Sequence, residues 1–200
     1  MRSQTIAYQI KDSLYLSITD RCTLVCDFCP KTQGVMKVHE FDLTVDHRPE
    51  VEEVIGAIGD PSRYSQVVFC GFGEPTLRLR LLLEVAGWIK QHGGQTRINT
   101  DGLASLVHKR NVIPEMVGVI DELSVSMNGQ NREVYNRHCQ PQLGGAFEAM
   151  LDFLRRASGK IPLVTATAID GLEGVDIEAC QQLAQECGVG FRARALDVVG

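Results

Sequence analysis

Short stretches of alternating apolar and polar residues recur along the chain, and longer stretches with a helical period separate them. Six of the short stretches are rich in β-branched and aromatic residues and are predicted to be strands: residues 14–19, 66–71, 96–100, 122–128, 162–169 and 190–196. The helical period is found in "RPEVEEVIGAIGD", "LRLRLLLEVAGWIKQHGG", "GAFEAMLDFLRRASG" and "VDIEACQQLAQECGVG". Strands that alternate with helices are typical of βαβ units and a parallel α/β sheet. We expect the initial "TIAYQI" to form a hairpin with the first predicted strand.

Six βα units in sequence fit either an open doubly wound sheet or an incomplete barrel, and in both folds active sites gather at the C-terminal ends of the strands. Three cysteines follow the first predicted strand and "GFGEP" follows the second, while "NTDG", "SMN" and "IDGLEG" stand at the ends of the next three. Turn chemistry also places Gly, Asn and Asp at strand ends. These motifs nevertheless all lie at the C-terminal ends of the predicted strands, which form one rim of the predicted sheet.

Composition limits the domain organisation, the cellular compartment and the partners that this chain can have. With 200 residues, 44% hydrophobic and 22% charged, it suits one globular domain. No apolar stretch reaches the roughly 18 residues of a membrane helix and the N-terminus lacks a signal-peptide core, so we expect a cytoplasmic protein with no membrane partner. Seven cysteines, an odd number, favour ligands over disulfide bridges in a reducing compartment. A net charge of −5 weighs against sequence-independent nucleic-acid binding.

The three cysteines of "CTLVCDFC" are Cys22, Cys26 and Cys29. A structural zinc site needs four ligands, and the nearest candidates for a fourth, His39 and Cys70, fall at no usual zinc spacing. A thioredoxin-like interpretation of "CDFC" leaves Cys22 unexplained. A [4Fe-4S] cluster held by only three cysteines leaves one iron open to a substrate or cofactor.

Here the residues resemble a known family. The Cys-x3-Cys-x2-Cys spacing, with Phe28 before the last cysteine, resembles the radical S-adenosylmethionine (SAM) superfamily. "GFGEP" resembles its Gly-Gly-Glu-Pro element, with Phe72 in place of a glycine. "LYLSITDRC", "CGFGEPTLR", "INTDG" and "LSVSMNGQNREVYNRHCQP" resemble a small-protein branch named for association with TatD-type hydrolases. The resemblance implies a six-stranded partial (β/α)6 TIM-like barrel, a cluster, SAM and a substrate that is not identified.

The same resemblance implies the chemistry. SAM chelates the open iron, and one electron, from a reductant such as flavodoxin or ferredoxin, cleaves it to a 5′-deoxyadenosyl radical that abstracts hydrogen from the substrate. The protein then supplies position and electrostatics. A functional link to a TatD-type hydrolase is also implied.

Contacts to SAM are predicted on the second and third strand ends. The carbonyl groups of Gly71 to Gly73 and the Glu74 carboxylate are candidate acceptors for its ammonium group, with Phe28 and Phe72 nearby in the cofactor site. An ordinary turn with Glu at a helix N-terminus is the structural alternative for Glu74. Asn99 is a weaker candidate for the ribose hydroxyls.

Further SAM contacts are predicted on the later strands. Ser126 and Asn128 alternate at the end of the fourth, so both face one side and suit the ribose hydroxyls, although such residues also stop strands by local hydrogen bonding. The resemblance places the adenine near Ile169. In "RAR", Arg194 orients the SAM carboxylate or the substrate, or together with Arg192 forms a solvated edge.

The remaining cysteines look structural. Cys180 and Cys187 share one apolar helix face and are expected in the core. Cys70 either lines the pocket or is a small buried residue. For His138 and Cys139 we favour packing between helix and loop over a substrate-facing role.

Several functions remain open from the sequence. A non-catalytic iron-sulfur or zinc protein for electron transfer or interaction would need a fourth ligand and would leave "GFGEP" unused. Within enzymes, the alternatives are a glycyl-radical activase and a 7-carboxy-7-deazaguanine synthase-like enzyme. Because the sequence ends at Gly200, just after the sixth strand, we expect residues 1–200 to be a single core domain without a C-terminal auxiliary cluster. A laterally open barrel predicts a bulky substrate, or a partner that closes the site.

Overall fold

A computed structural model describes residues 4–196. Its strands are β1 (Ala7–Ile10), β2 (Ser13–Leu16), β3 (Lys37–Val38), β4 (Phe41–Asp42), β5 (Gln66–Phe69), β6 (Thr96–Thr100), β7 (Glu122–Ser126), β8 (Leu163–Asp170) and β9 (Gly190–Ala195). Seven of them form one sheet in the order β1-β2-β5-β6-β7-β8-β9, while β3 and β4 form a separate hairpin. All neighbours from β2 to β9 pair in parallel, and β1 pairs antiparallel with β2.

Helices connect the parallel strands. They are α1 (Val51–Ile58), α2 (Leu79–Gln91), α3 (Ala104–Val107), α4 (Ile113–Met116), α5 (Arg132–Cys139), α6 (Ala146–Ala157) and α7 (Ile177–Glu186). Short 3-10 helices cover Pro30–Gln33, Pro61–Arg63 and Pro75–Arg78. Within residues 4–196, no helix is both long and apolar enough to cross a membrane.

The six predicted strands are present, and so is the predicted hairpin at the N-terminus. That hairpin adds an antiparallel edge strand, so the sheet has seven strands rather than six. The four predicted helices correspond to α1, α2, α6 and α7. The β3–β4 hairpin and the short helices α3, α4 and α5 were not predicted, because segments of two to eight residues carry too little periodicity.

One face of the sheet carries the main hydrophobic core. Leu16, Phe69, Ile98 and Val125 are fully buried there with the apolar residues of the helices. Parallel strands are usually apolar on both faces. Here most residues of the second face are polar, which indicates a role other than packing.

Residues opposite one another in register share a face, and this defines the polar face of the sheet. Its polar members are Tyr15, Arg97 and Glu122 in one row, Cys70, Asn99, Ser124 and Thr165 in the next, and Ser126, Thr167, Arg192 and Arg194 toward the end of the strands. The apolar residues Val68, Leu163 and Ile169 share this face.

Electrostatic interactions act on two ionisable groups of this polar face. Burial raises the pKa of the Tyr15 hydroxyl, and Arg97 and Arg192 partly oppose the rise. Burial likewise raises the pKa of the Cys70 thiol, and the Asn99 side chain, Arg97 and Arg194 oppose it.

A second hydrophobic cluster borders the polar face at the β1–β2 side. Tyr8, Val38 and Leu43 form its buried centre, and Phe72 packs against it. The Tyr8 ring stacks on Tyr15 with a centroid distance of 5.6 Å. The β3–β4 hairpin thus closes one side of the polar face with apolar residues.

Candidate functional site

The three cysteines lie on the loop that follows β2, and each is half-buried. Burial raises the pKa of the Cys22 and Cys29 thiols. For Cys26, the contact with Cys139 is the larger cause of a raised pKa, ahead of burial. Isolated thiolates are therefore costly here, whereas a bound metal deprotonates its thiol ligands.

Segment 138–142 holds the cysteine loop from one side. The backbone N–H of Val25 donates to the Cys139 carbonyl at 3.1 Å, and the N–H of Asp27 donates to the His138 carbonyl at 3.0 Å. An isolated β-bridge joins Leu24 to Pro141. The backbone is thus fixed on either side of Cys26.

His138 strengthens this attachment through its side chain, which is 5% exposed. Its Nδ1 lies 3.0 Å from the Asp27 carboxylate, and its Nε2 lies 2.8 Å from the Glu173 carbonyl. Both partners are acceptors, and a ring N–H group is the donor that such contacts require. The structure places His138 and Cys139 in packing between helix and loop, as favoured from the sequence.

The "GFGEP" segment packs directly against the start of the cysteine loop. A Cβ at Gly73 would lie 2.2 Å from the Thr19 carbonyl oxygen, and one at Gly71 would lie 2.9 Å from Ser17 Oγ. The Glu74 N–H donates to the Arg21 carbonyl at 2.7 Å. Gly73 is therefore required for close contact between two backbone segments, whereas a Cβ at Gly71 would displace the Ser17 side chain.

The Glu74 carboxylate is buried and accepts four hydrogen bonds within the chain. It caps the 3-10 helix at Thr76 through the N–H at 3.0 Å and the hydroxyl at 2.6 Å. It also accepts from the Thr100 hydroxyl at 2.8 Å and the Asp101 N–H at 2.7 Å. Burial, and then the nearby Asp101 carboxylate, raise its pKa to about 8.

Asp101 extends this network to the cysteine loop. The hydroxyl of Thr23, next to Cys22, donates to the Asp101 carboxylate at 2.5 Å, and the Leu103 N–H donates to its other oxygen at 2.9 Å. Burial raises the pKa of Asp101. The loops after β2, β5 and β6 are therefore linked as one unit through Thr23, Asp101 and Glu74.

On the polar face, Asn99 forms hydrogen bonds with both the Arg97 guanidinium and the Cys70 thiol. Its amide oxygen accepts from Arg97 Nε at 2.9 Å, and its amide nitrogen donates to the Cys70 sulfur at 3.2 Å. Arg97 Nε also lies 3.5 Å from the Glu122 carboxylate. Asn99 thus orients both the guanidinium and the thiol.

A family model for the radical SAM superfamily matches residues 16–187. This chain belongs to the radical SAM superfamily. Enzymes of this superfamily use a [4Fe-4S] cluster and SAM. No curated protein matches the sequence.

Solved structures agree on the fold. SuiB of Streptococcus suis, bound to its precursor peptide SuiA, superposes with a TM-score of 0.71 at 12% identity, over 96% of this chain and 40% of that one. TYW1 with a lysine-pyruvate adduct gives 0.63 at 16% identity, over 92% and 64%. Methylornithine synthase (PylB) gives 0.56 at 15% identity, over 92% and 53%. The chain thus spans about two fifths to two thirds of the length of these structures.

The donor set of the cysteine loop fits a radical SAM cluster, because three half-buried thiols stand on one fixed loop. In the part of the chain described, no three His, Cys, Asp or Glu side chains converge as the site of a single ion would require. A four-iron cluster binds each thiolate through a different iron, so its ligands need not meet at one point. His39 is exposed in the β3–β4 turn, and Cys70 lies on the polar face.

The predicted SAM contacts fit only in part. No N–H or side-chain donor within residues 4–196 binds the carbonyl oxygens of Gly71 to Gly73, which leaves them available as acceptors. Asn128, with φ +50°, is 2% exposed and has an amide oxygen without a hydrogen-bond donor. The side chains of Glu74 and Asn99, in contrast, already form hydrogen bonds with other residues of the chain.

The other predicted residues are placed as follows. Ser126 is the half-buried last residue of β7, and Ile169 is buried opposite Arg194 in register. Phe28 packs against the main core, and Phe72 packs in the second cluster. Cys180 and Cys187 lie in the main core, as expected.

An open groove of about 800 Å³ lies between the N-terminal ends of α1 and α2. Thr19 and Arg21 are among its lining residues, but the three cysteines and the predicted SAM contacts are not. We therefore assign it no part in the site.

Sequence reasoning missed Thr23, Asp101, Asp27 and Arg97. Asp101 was noted only as part of "NTDG" at a strand end, and its position on the predicted rim was the available signal. Thr23 lies within the cysteine motif itself, but threonine there carries no chemical signal.

Proposed function

We propose that this chain is a radical SAM enzyme that cleaves SAM reductively and abstracts hydrogen from a substrate still to be identified. The observation that carries the proposal is the joining of the cysteine loop to the free carbonyl groups of Gly71 to Gly73 through Gly73 and Glu74. When bound at Cys22, Cys26 and Cys29, a reduced [4Fe-4S] cluster supplies the electron for SAM cleavage.

Residues of this chain would position the cluster and SAM. Segment 138–142 and the Thr23–Asp101 bond hold the cysteine loop from opposite sides. The backbone carbonyl groups of Gly71 to Gly73 would accept hydrogen bonds from the ammonium group of bound SAM. This support is preorganised, since the bonds exist without any ligand.

We assign the ribose hydroxyls to Asn128 and Ser126 at the end of β7. The unsatisfied amide oxygen of Asn128 supports this role, because a buried acceptor without a donor is costly. Ile169 offers a buried apolar surface for adenine. Arg194 stays a candidate for the SAM carboxylate or the substrate, and Asn99 acts through Arg97 and Cys70.

We also propose that the chain forms a partial barrel and a single domain and belongs to the TatD-associated branch. The six parallel strands and the interaction of Arg192 with Tyr15 support a partial (β/α)6 barrel. One continuous sheet from β1 to β9 supports a single domain. The quoted motifs support the TatD-associated branch, and a functional link to a TatD-type hydrolase follows from that branch alone.

We further infer a cytoplasmic setting from the reduced cysteines, with flavodoxin or ferredoxin as the reductant. The exposed side chain of Arg192 on the edge strand β9 supports a polar face that is open at this side, and hence a bulky substrate. A SAM complex with a small, fully enclosed substrate cavity would contradict that inference.

A non-catalytic iron-sulfur or zinc carrier is the rival function, and glycyl-radical activase and 7-carboxy-7-deazaguanine synthase-like activities are the alternatives within enzymes. A carrier needs a fourth ligand, for which His39 and Cys70 are the candidates. A mass shift in a partner protein or in a nucleoside would separate the two enzyme alternatives.

Anaerobic reconstitution with iron and sulfide, followed by dithionite and SAM, tests the proposal. The wild type is compared with Cys26→Ala and, as a matched thiol deletion in the core, Cys180→Ala. We expect 5′-deoxyadenosine from the wild type and Cys180→Ala and none from Cys26→Ala. A wild type that holds a cluster but neither binds nor cleaves SAM would establish the carrier instead.

A further inference from the structure

The strand β9 forms an open edge of the sheet. It is the last strand in the sheet order, and within residues 4–196 it pairs with β8 alone. Four of its six residues are exposed. Outside the β8–β9 ladder, no backbone hydrogen bond in the described part of the chain involves residues 190–193. The outer N–H and C=O groups of these residues are therefore available to a further strand.

Only charged side chains protect this edge. Proteins commonly protect an edge strand by making it very short, by a proline, by a bulge or by charged side chains. β9 pairs with β8 over six consecutive residues without a bulge and contains no proline. At the opposite edge of the sheet, in contrast, Tyr8 of β1 is buried against the β3–β4 hairpin. The backbone of β9 is thus able to accept a further strand.

The charges on β9 select the chemistry of such a strand. Arg192 and Arg194 are two residues apart, so both side chains lie on the polar face. Arg192 is exposed, and its neighbours in register, Thr167 and Ser126, are uncharged. Within residues 4–196, no carboxylate forms an ion pair with Arg192. Because opposite charges on neighbouring strands stabilise their pairing, an acidic strand is favoured.

A second copy of this chain fits the edge less well. Two β9 strands paired antiparallel across a two-fold axis would bring the arginines of both copies onto one face of the joined sheet. Side chains that are direct or diagonal neighbours on such strands lie about 5–8 Å apart. Like charges at these distances oppose the pairing.

We propose that β9 binds an extended acidic segment of a polypeptide substrate as a further strand, with the carboxylates of alternate residues paired with Arg192 and Arg194. This assignment deepens the proposed function and rests on it. Ser126, Thr167 and Arg192 share one row in register, and Ile169 and Arg194 share another. A strand added to β9 would continue these rows. Its alternate side chains would therefore face the same side of the sheet as Ser126 and Ile169, the residues assigned to the ribose and the adenine.

Fluorescence anisotropy with the cluster-loaded, unreduced protein tests this site. The probe is a labelled ten-residue peptide of alternating Glu and Thr, and the same peptide with Lys in place of Glu is the charge control. We expect Arg192→Glu to weaken binding of the Glu peptide about tenfold or more and to gain binding of the Lys peptide. Arg63→Glu, at an exposed arginine on the Pro61–Arg63 helix, is the matched control and should leave binding of both peptides unchanged.

Two N-methylated forms of the Glu peptide test pairing through the backbone. One form carries N-methyl groups at every Glu and the other at every Thr. Successive residues of a strand direct their N–H groups to opposite edges, so each form lacks the donors of one edge. We expect one form to lose binding and the other to retain it, and equal effects of the two forms would refute strand addition.

The remaining outcomes separate the edge site from its alternatives. Absence of Glu-peptide binding by the wild type, or equal binding by Arg192→Glu, would overturn the site. SAM is titrated in parallel, and a loss of SAM affinity in Arg192→Glu would assign this arginine to the cofactor instead. Self-association of the wild type in sedimentation without peptide binding would assign the edge to a second copy. A wild type that binds the Glu peptide but does not cleave SAM would refute the proposed enzyme function alone.

Discussion

The hydrogen bond from the Thr23 hydroxyl to the Asp101 carboxylate joins the cysteine loop to the loop after β6. The substitution Thr23→Val tests how much this bond contributes to stability. Valine keeps the shape of threonine but cannot donate, so one oxygen of a carboxylate that is 5% exposed loses its partner. A hydrogen bond to a charged group contributes about 1.5–3 kcal/mol. We expect a loss of about 2 kcal/mol in the free energy of unfolding, equal to a fall of about 4–8 °C in Tm for a chain of this size.

Urea unfolding of the cluster-free protein measures this loss, and iron content after reconstitution reports on the loop itself. Thr23→Ser keeps the hydroxyl and is the matched control, so we expect it to retain most of the stability and of the iron. If Thr23→Val unfolds within about 0.5 kcal/mol of wild type, below the usual effect of such a bond, the bond does not hold the loop. A loss in Thr23→Ser as large as that in Thr23→Val would show that the hydroxyl is not sufficient for the stability, and would contradict the assignment to the hydrogen bond.

Three further predictions concern the same loops. Gly73→Ala forces a Cβ onto the Thr19 carbonyl oxygen and should cost about 3 kcal/mol or more in chemical denaturation, whereas Gly56→Ala, in open space in α1, should gain about 0.5–1 kcal/mol. Because Glu74 has a pKa of about 8 when folded and near 4.5 when unfolded, the native state retains its proton longer. Stability should therefore fall as pH rises from about 4.5 to 8. Urea unfolding across this range should show a shallower slope for Glu74→Gln, and an unchanged slope would refute the assignment. His138→Ala leaves the Glu173 carbonyl and the Asp27 carboxylate without their partner and should lower the free energy of unfolding by about 1–3 kcal/mol. Unchanged thermal unfolding would show that His138 does not stabilise the cysteine loop.

Local pattern was sufficient for the secondary structure of the parallel sheet. Strands and the longer helices follow from alternation and from the helical period, because each depends on residues that are near in sequence. The same holds for the cysteine spacing, which brings three thiols onto one loop whatever the rest of the fold does. The β3–β4 hairpin was missed because two-residue strands gain their stability from Tyr8 and Phe72, which are distant in the sequence.

The sequence by itself determined the alternating α/β elements, the rim on which the motifs lie, and the family. Only the tertiary structure decided which neighbours use each side chain. Glu74 looked available for a ligand, but its carboxylate is taken by Thr76, Thr100 and Asp101, since parallel strand order brings the ends of β5 and β6 side by side. Arg97 and Arg192 are 95 positions apart in the sequence. They lie on the same face of the sheet only because of the register of the strands between them, and register is set by the whole set of strands rather than by any one segment.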